Sequence, residues 1–169
     1  MEREIVSKYV KIFGAVGMLV VSLMDIIAFI VLTLIPVEVY GGSEALYIVQ
    51  MFNIYDLLAL VLWLCLIVSL CTYLITGIIL ITFSNNNEVN DYTYSKHLFL
   101  IGVVLLLIGF LNSEFIYLIY VNTNIVTYVI PYFILIFFIT TNCYVLIVAI
   151  VMGGVGLYWV LDKEGELKD

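Results

Sequence analysis

Charged side chains are scarce in this 169-residue chain, at 11% against about 25% in an ordinary soluble domain. Only six are Lys or Arg, and histidine occurs once. So few charges cannot cover the surface of a water-soluble fold. No cluster of bases exists to hold a phosphate backbone, so nucleic acid is not an expected partner. His97 alone cannot supply bis-histidine haem ligation, and no Cys-x-x-Cys-His run occurs. Zinc would need more ligands than one histidine and distant acids. No cofactor or metal is therefore expected. The cysteines, Cys65, Cys71 and Cys143, all lie in apolar stretches and form no CxxC pair. They read as small hydrophobes. No Ser-His-Asp or Cys-His set assembles at a common depth, so enzyme chemistry finds no support.

Apolar residues are plentiful instead, at 65%. They gather into four runs, at about 12–35, 57–83, 98–121 and 132–161. A helix needs roughly 20 residues to cross about 30 Å of hydrocarbon. Each run is long enough. Alternation of the β-barrel kind is absent. Helices are then the remaining way to satisfy every backbone N–H and C=O in lipid. The expectation is an all-α integral membrane four-helix bundle, a single domain over residues 1–169. The first run exceeds the roughly 7–15 residues of a signal-peptide core, and no A-x-A site follows it. It reads as a retained span.

Placement of the bases orients the bundle. Arg3, Lys8 and Lys11 precede span one, Lys96 lies between spans two and three, and Lys163 and Lys168 follow span four. The segments 36–56 and 122–131 contain none. In a four-span arrangement all six bases fall on one side, which the positive-inside rule makes the cytoplasm. Both termini are expected there, in the cell membrane. The first outer loop carries Glu38, Glu44 and Asp56 and no base. Gly41-Gly42 breaks that loop, and Ser43 is a plausible helix N-cap. One straight helix over 43–83 would be about 60 Å long, more than one membrane thickness. A short interfacial helix from Ser43 to about Asn53, bending into span two, is the favoured arrangement. An outward extension of span two is the alternative.

Two acids sit within the apolar runs. Asp25 is near the middle of span one, where a carboxylate costs about 2.5–3.5 kcal/mol to insert. At about 100° per residue, Gly14, Met18, Ser22 and Asp25 share one face. Gly14, Ser22 and nearby Gly17 admit a neighbouring helix closely. Asp25 reads either as a proton or cation site or as a hydrogen-bonded carboxyl that pins helix register. Glu114 lies in the outer half of span three beside Asn112 and Ser113. It is either a second such site or a carboxyl reaching for the interface. No base is placed at membrane depth to pair with either acid. Gly102, Gly109 and Ser113 form a stripe on span three, and Ala149, Gly153 and Gly156 one on span four. Both read as helix-packing surfaces. Tyr73, Tyr144 and Trp63 lie deep enough to need hydrogen-bond partners in the bundle.

Three stretches carry a family resemblance. Span two ends in Gly77-Ile78-Ile79-Leu80, followed by an Asn-rich turn and Asp91-Tyr92. Span three opens with Leu98-Phe99-Leu100-Ile101-Gly102 and continues to Ile108-Gly109. Together with Lys11-Ile12-Phe13-Gly14-Ala15-Val16-Gly17, they resemble small archaeal polytopic membrane proteins of uncharacterised families. The resemblance covers about a third of the chain and rests on glycines in apolar helices. It implies a multi-span fold and no catalytic residue.

Small size, the lack of cofactor ligands and a third span whose Glu114 lies about 120° around the helix from Gly102, off its glycine face, point first to a non-enzymatic accessory or structural subunit of a larger membrane complex. Its partners would be the lipid bilayer and other membrane subunits or itself. The alternative is an oligomeric proton- or cation-coupled transporter or channel using Asp25, with Glu114, Asn112 and Ser22 as further candidates.

Overall fold

The computed structural model describes residues 8–38, 44–85, 91–123 and 129–166. A π-helical stretch, Val10–Val16, runs directly into helix α1, Gly17–Leu34. Two short strands follow, β1 (Pro36–Glu38) and β2 (Glu44–Leu46). Then come α2 (Tyr47–Asn85), α3 (Asp91–Thr123) and α4 (Val129–Glu166). All four helices contain a stretch long and apolar enough to cross a membrane: Ile12–Leu34, Trp63–Thr82, Thr93–Glu114 and Phe133–Asp162. The protein is a multi-pass, all-helical bundle with one small hairpin.

The helix ends follow from the chain chemistry. Pro36 disfavours helical backbone in the residue before it. Ile35 accordingly turns extended, at φ −65° and ψ 126°, and α1 stops. Pro131 sits in the first turn of α4, where its missing N–H would have no intrahelical acceptor anyway. The chain leaving α1 pairs antiparallel with the chain entering α2, with Pro36 opposite Leu46 and Glu38 opposite Glu44.

That hairpin sets where α2 begins, within the stretch from Ser43 to about Asn53 for which a short helix is foreseen. Residues 44–46 are extended, and α2 then runs unbroken for 39 residues from Tyr47. At 1.5 Å per residue it is about 58 Å long, so it outreaches its own apolar span. Backbone pairing with β1 satisfies residues 44–46 and delays the helix start. Ser43, Gly41-Gly42 and the polar turn 86–90 lie outside the described residues.

Neighbours in sequence are neighbours in space, and the ring α1–α2–α3–α4 closes back on α1. The α3–α4 pair is the most intimate and the α1–α4 seam the loosest. Inside lie Met18, Leu66, Tyr73, Leu105, Phe138 and Met152, each almost fully buried. Outward faces show Ile27, Val68, Leu107, Phe110, Ile147 and Ile150. Such a surface would drive aggregation in water, whereas in lipid it is the matched solvent. Exposed threonines avoid stranding a hydroxyl there. Thr72, Thr82 and Thr140 each donate to the carbonyl four residues back, at 2.8–2.9 Å.

The tight pair is built on small residues. An added Cβ on Gly102 would overlap the backbone of Gly153 and stand 2.9 Å from the Ala149 carbonyl oxygen. One on Gly156 would stand 2.8 Å from Phe99 Cα and 2.9 Å from the Ser95 carbonyl oxygen. On Gly109 it would meet the Leu146 side chain at 2.7 Å. Across the seam, the Met152 side chain occupies the place of a Gly14 Cβ. Likewise the Tyr144 hydroxyl fills the space left by Gly17 and donates to the Phe13 carbonyl.

Candidate intramembrane site

Asp25 is 2% exposed, on the same buried face as Met18 and Ser22 of α1 and Gly14 of the π-helical stretch before it. Ser22 donates its hydroxyl back to the Leu19 carbonyl at 3.0 Å, so its proton is used within its own helix. Asp25 looks instead toward the α1–α4 seam, with the Thr141 side chain of α4 beside its carboxyl. Its charge also reaches the hydroxyl of Tyr73 on α2. Tyr73 in turn belongs to a network that brings in α3 and the rest of α4. One polar cluster therefore draws a side chain from every helix.

Asn142 is the hub. Its amide nitrogen donates to the Gly109 carbonyl at 3.0 Å and to Ser113 Oγ at 2.6 Å. A carbonyl oxygen only accepts, so this contact fixes which end of the Asn142 amide faces α3. Its oxygen must then point the other way, and it receives two donors. Tyr73 donates its hydroxyl at 2.8 Å, and Asn112 Nδ2 donates at 3.2 Å. Asn112 Nδ2 also lies 3.4 Å from the Tyr73 oxygen. With the Asn112 nitrogen end committed, its Oδ1 faces elsewhere and has no hydrogen-bond partner among the described residues. Asp25 Oδ1 is in the same condition. Buried acceptors of this kind are rare in folded proteins and costly to leave unmade.

The cluster sits near mid-membrane. Asp25, Tyr73 and Asn142 each lie roughly ten residues, or about 15 Å, from the hairpin-side end of the apolar part of their helix, and Asn112 lies about as far from the end of α3 at Thr123. Access exists from one side. A cavity of about 140 Å³ between α3 and α4 is lined by Ser113, Ile116, Ile139, Asn142 and Cys143. Ile139 and Cys143 are exposed, so it opens toward the outside of the bundle.

The other candidates fall elsewhere. Glu114 is exposed, although Asn112 two residues before it is buried. Two positions along a helix are about 200° around its axis, so one faces inward and the other outward. The structure thus places Asn112 in the hydrogen-bonded network with Tyr73 and Asn142 and leaves Glu114 on the outer surface. Thr141 and Asn142 were not singled out from the sequence. Their signal is the polar run Thr140-Thr141-Asn142 in the middle of an otherwise apolar span. Among the described residues no group of three or more His, Cys, Asp or Glu side chains comes together as metal ligands. Trp63 packs edge-on against Phe29, with ring centroids 4.8 Å apart.

Comparison with protein-family models, with curated proteins and with solved structures finds no match. The functional reading rests on the residues themselves.

Proposed function

We propose that this protein carries protons or small cations across the cell membrane, with Asp25 as the group that binds them. The observation behind this reading is Asp25 itself: a buried carboxyl inside a membrane span, with one oxygen unpartnered among the described residues. Ionisable residues at such depth are expensive and tend to mark ion or proton pathways. Charge placement adds direction. Both termini and the loop holding Lys96 are cytoplasmic, by the positive-inside rule. The opposite end, with Glu38, Glu44 and Asp56 and no base, presents a field that concentrates cations. The test is flux in reconstituted liposomes under an imposed gradient. Asp25→Asn keeps shape and polarity but removes the charge. It is expected to reduce proton or cation flux by at least about tenfold, in the range of a lost general acid or base. Equal flux in the two proteins would dismiss Asp25 as the carrier.

One observation favours a second reading, an accessory subunit of a larger complex. Glu114 is an exposed carboxyl on α3, within an apolar span and flanked on the helix surface by exposed Phe110 and Leu111. An acid on a lipid-facing surface has reason to meet a cation from another chain. Purification in mild detergent is then expected to recover a second membrane protein, and Glu114→Gln to release it. Recovery of this chain alone or as a homo-oligomer would count against the subunit reading.

A further inference from the structure

The α1–α4 seam does not close along its whole length. On the half of the bundle that holds the termini, a groove of about 460 Å³ runs down it. Its floor is made by Val10, Val148 and Met152, all buried. Its rims are Phe13 on one side and Ile147 and Val151 on the other, all exposed. The groove is thus open sideways, toward the medium around the bundle. Its lining is apolar apart from the hydroxyls of Tyr9 and Tyr144, one at each end. Tyr144 closes the deep end, because its hydroxyl donates to the Phe13 carbonyl across the seam. One wall belongs to the π-helical stretch Val10–Val16. π-helix is rare and is found mostly at functional sites.

Length decides the shape of the occupant. From Tyr144 to Val155, the last lining residue of α4, the helix rises about 16 Å at 1.5 Å per residue. One leaflet contributes about 15 Å of hydrocarbon, half of about 30 Å. The groove is therefore as long as a leaflet is deep, and it runs from near the midplane toward the membrane surface. A lipid chain has that length and that direction. It enters through the open side without crossing a polar layer.

Charge decides the headgroup. Lys8 is exposed and adjoins Tyr9 at the groove mouth. Lys11 follows it, and no acid intervenes before Asp25. On α4 the first acid past the groove is Asp162, about 10 Å along the helix beyond Val155. An ammonium lies next to the mouth and a carboxylate two turns past it, so the mouth favours a negative headgroup.

We propose that this groove binds one acyl chain of an anionic phospholipid from the leaflet on the side of the termini, with the headgroup held at Lys8. The site is separate from the polar cluster and does not depend on the carrier reading.

The experiment strips the purified protein of lipid in mild detergent. Phosphatidylglycerol or phosphatidylcholine with the same acyl chains is then added, and retained lipids are counted per chain by native mass spectrometry. The wild type is expected to keep one phosphatidylglycerol. It should prefer that lipid to phosphatidylcholine by about fivefold, the worth of one Lys beside an anionic surface. Lys8→Gln should bring the two lipids to parity. Val151→Trp sets an indole in the groove and should weaken both by at least about fivefold. Ile150→Trp, at an exposed position of α4 outside the groove, should change neither. Equal retention of the two lipids by the wild type, or none, would overturn the assignment, whether or not any variant folds. So would matching retention by Val151→Trp and Ile150→Trp, or a dimer that forms in place of lipid binding.

Discussion

Replacing Asn142 with leucine is expected to lower the unfolding free energy by about 2–4 kcal/mol. The change keeps side-chain volume and removes the amide. It strands the Tyr73 hydroxyl and leaves the Asn112 amide only its longer contact with that hydroxyl. Ser113 Oγ and the Gly109 carbonyl lose a donor but keep their bond to each other at 2.9 Å. Each buried group so orphaned costs about 1–3 kcal/mol in water-soluble proteins. Side-chain hydrogen bonds between membrane helices average nearer about 0.6 kcal/mol, because the unfolded chain finds other partners in the bilayer. The expected total lies between those limits. Asn112→Leu should cost less, since it removes a carbonyl that has no partner among the described residues as well as an amide that does. Ser69→Ala serves as the reference. Its hydroxyl bonds only to the Cys65 carbonyl of its own helix, at 2.9 Å, and its loss should be nearly silent. Denaturation in mixed micelles, titrated with a harsh detergent, reads all three. A cost for Asn142→Leu no greater than that for Ser69→Ala would show that the hub does not hold the helices together.

The same residues show how much the sequence disclosed. Span number followed from run length, and it agreed with a one-sided distribution of bases. Both are one-dimensional properties, fixed by membrane thickness and by charge. The inward face of α1 was also legible, because Gly14, Met18, Ser22 and Asp25 are the exceptions in an apolar helix and repeat at helical spacing. The other helices are apolar almost all round, so periodicity says little about which side turns inward. Asn112 and Glu114 illustrate the consequence. They looked like one polar patch in the sequence, yet helical geometry sends one to the core and the other to the surface. Asn142 could not be ranked above Thr140 or Thr141 from the chain alone. Its importance depends on the depth and rotation at which α4 meets α3, and those are set by packing. The hairpin was illegible for a different reason. Residues 44–46 have a sequence that suits a helix start, and their extended form depends on a partner strand across the loop.

Substitutions on the α3–α4 contact should divide sharply by what stands opposite each glycine. Gly102→Ala would press its methyl into the backbone of Gly153 and the Ala149 carbonyl. Backbone cannot swing aside as a side chain does, so the helices must separate. Overpacking of this kind costs about 1–3 kcal/mol, and Gly102→Val should exceed that. Gly156→Ala faces the same obstacle in Phe99 and Ser95. Gly153→Ala should be mild, since its nearest neighbour would be Gly102 Cα at 3.7 Å, an ordinary contact. Gly154→Ala meets nothing within 4 Å and should be neutral or slightly stabilising. The four alanine variants can be ranked in the same detergent titration, and equal costs for Gly102→Ala and Gly154→Ala would refute a backbone-to-backbone contact. A stronger consequence links this contact to the polar cluster. Gly102 lies two turns from Gly109 on the same face of α3, and the Gly109 carbonyl is where Asn142 anchors. Prising α3 from α4 at Gly102 should also lengthen that bond. Gly102→Val and Asn142→Leu combined should therefore cost less than the sum of their separate effects. Residues far enough apart to be independent add within about 0.5 kcal/mol, and a larger shortfall would show that the glycine contact sets the distance at which the Asn142 network closes.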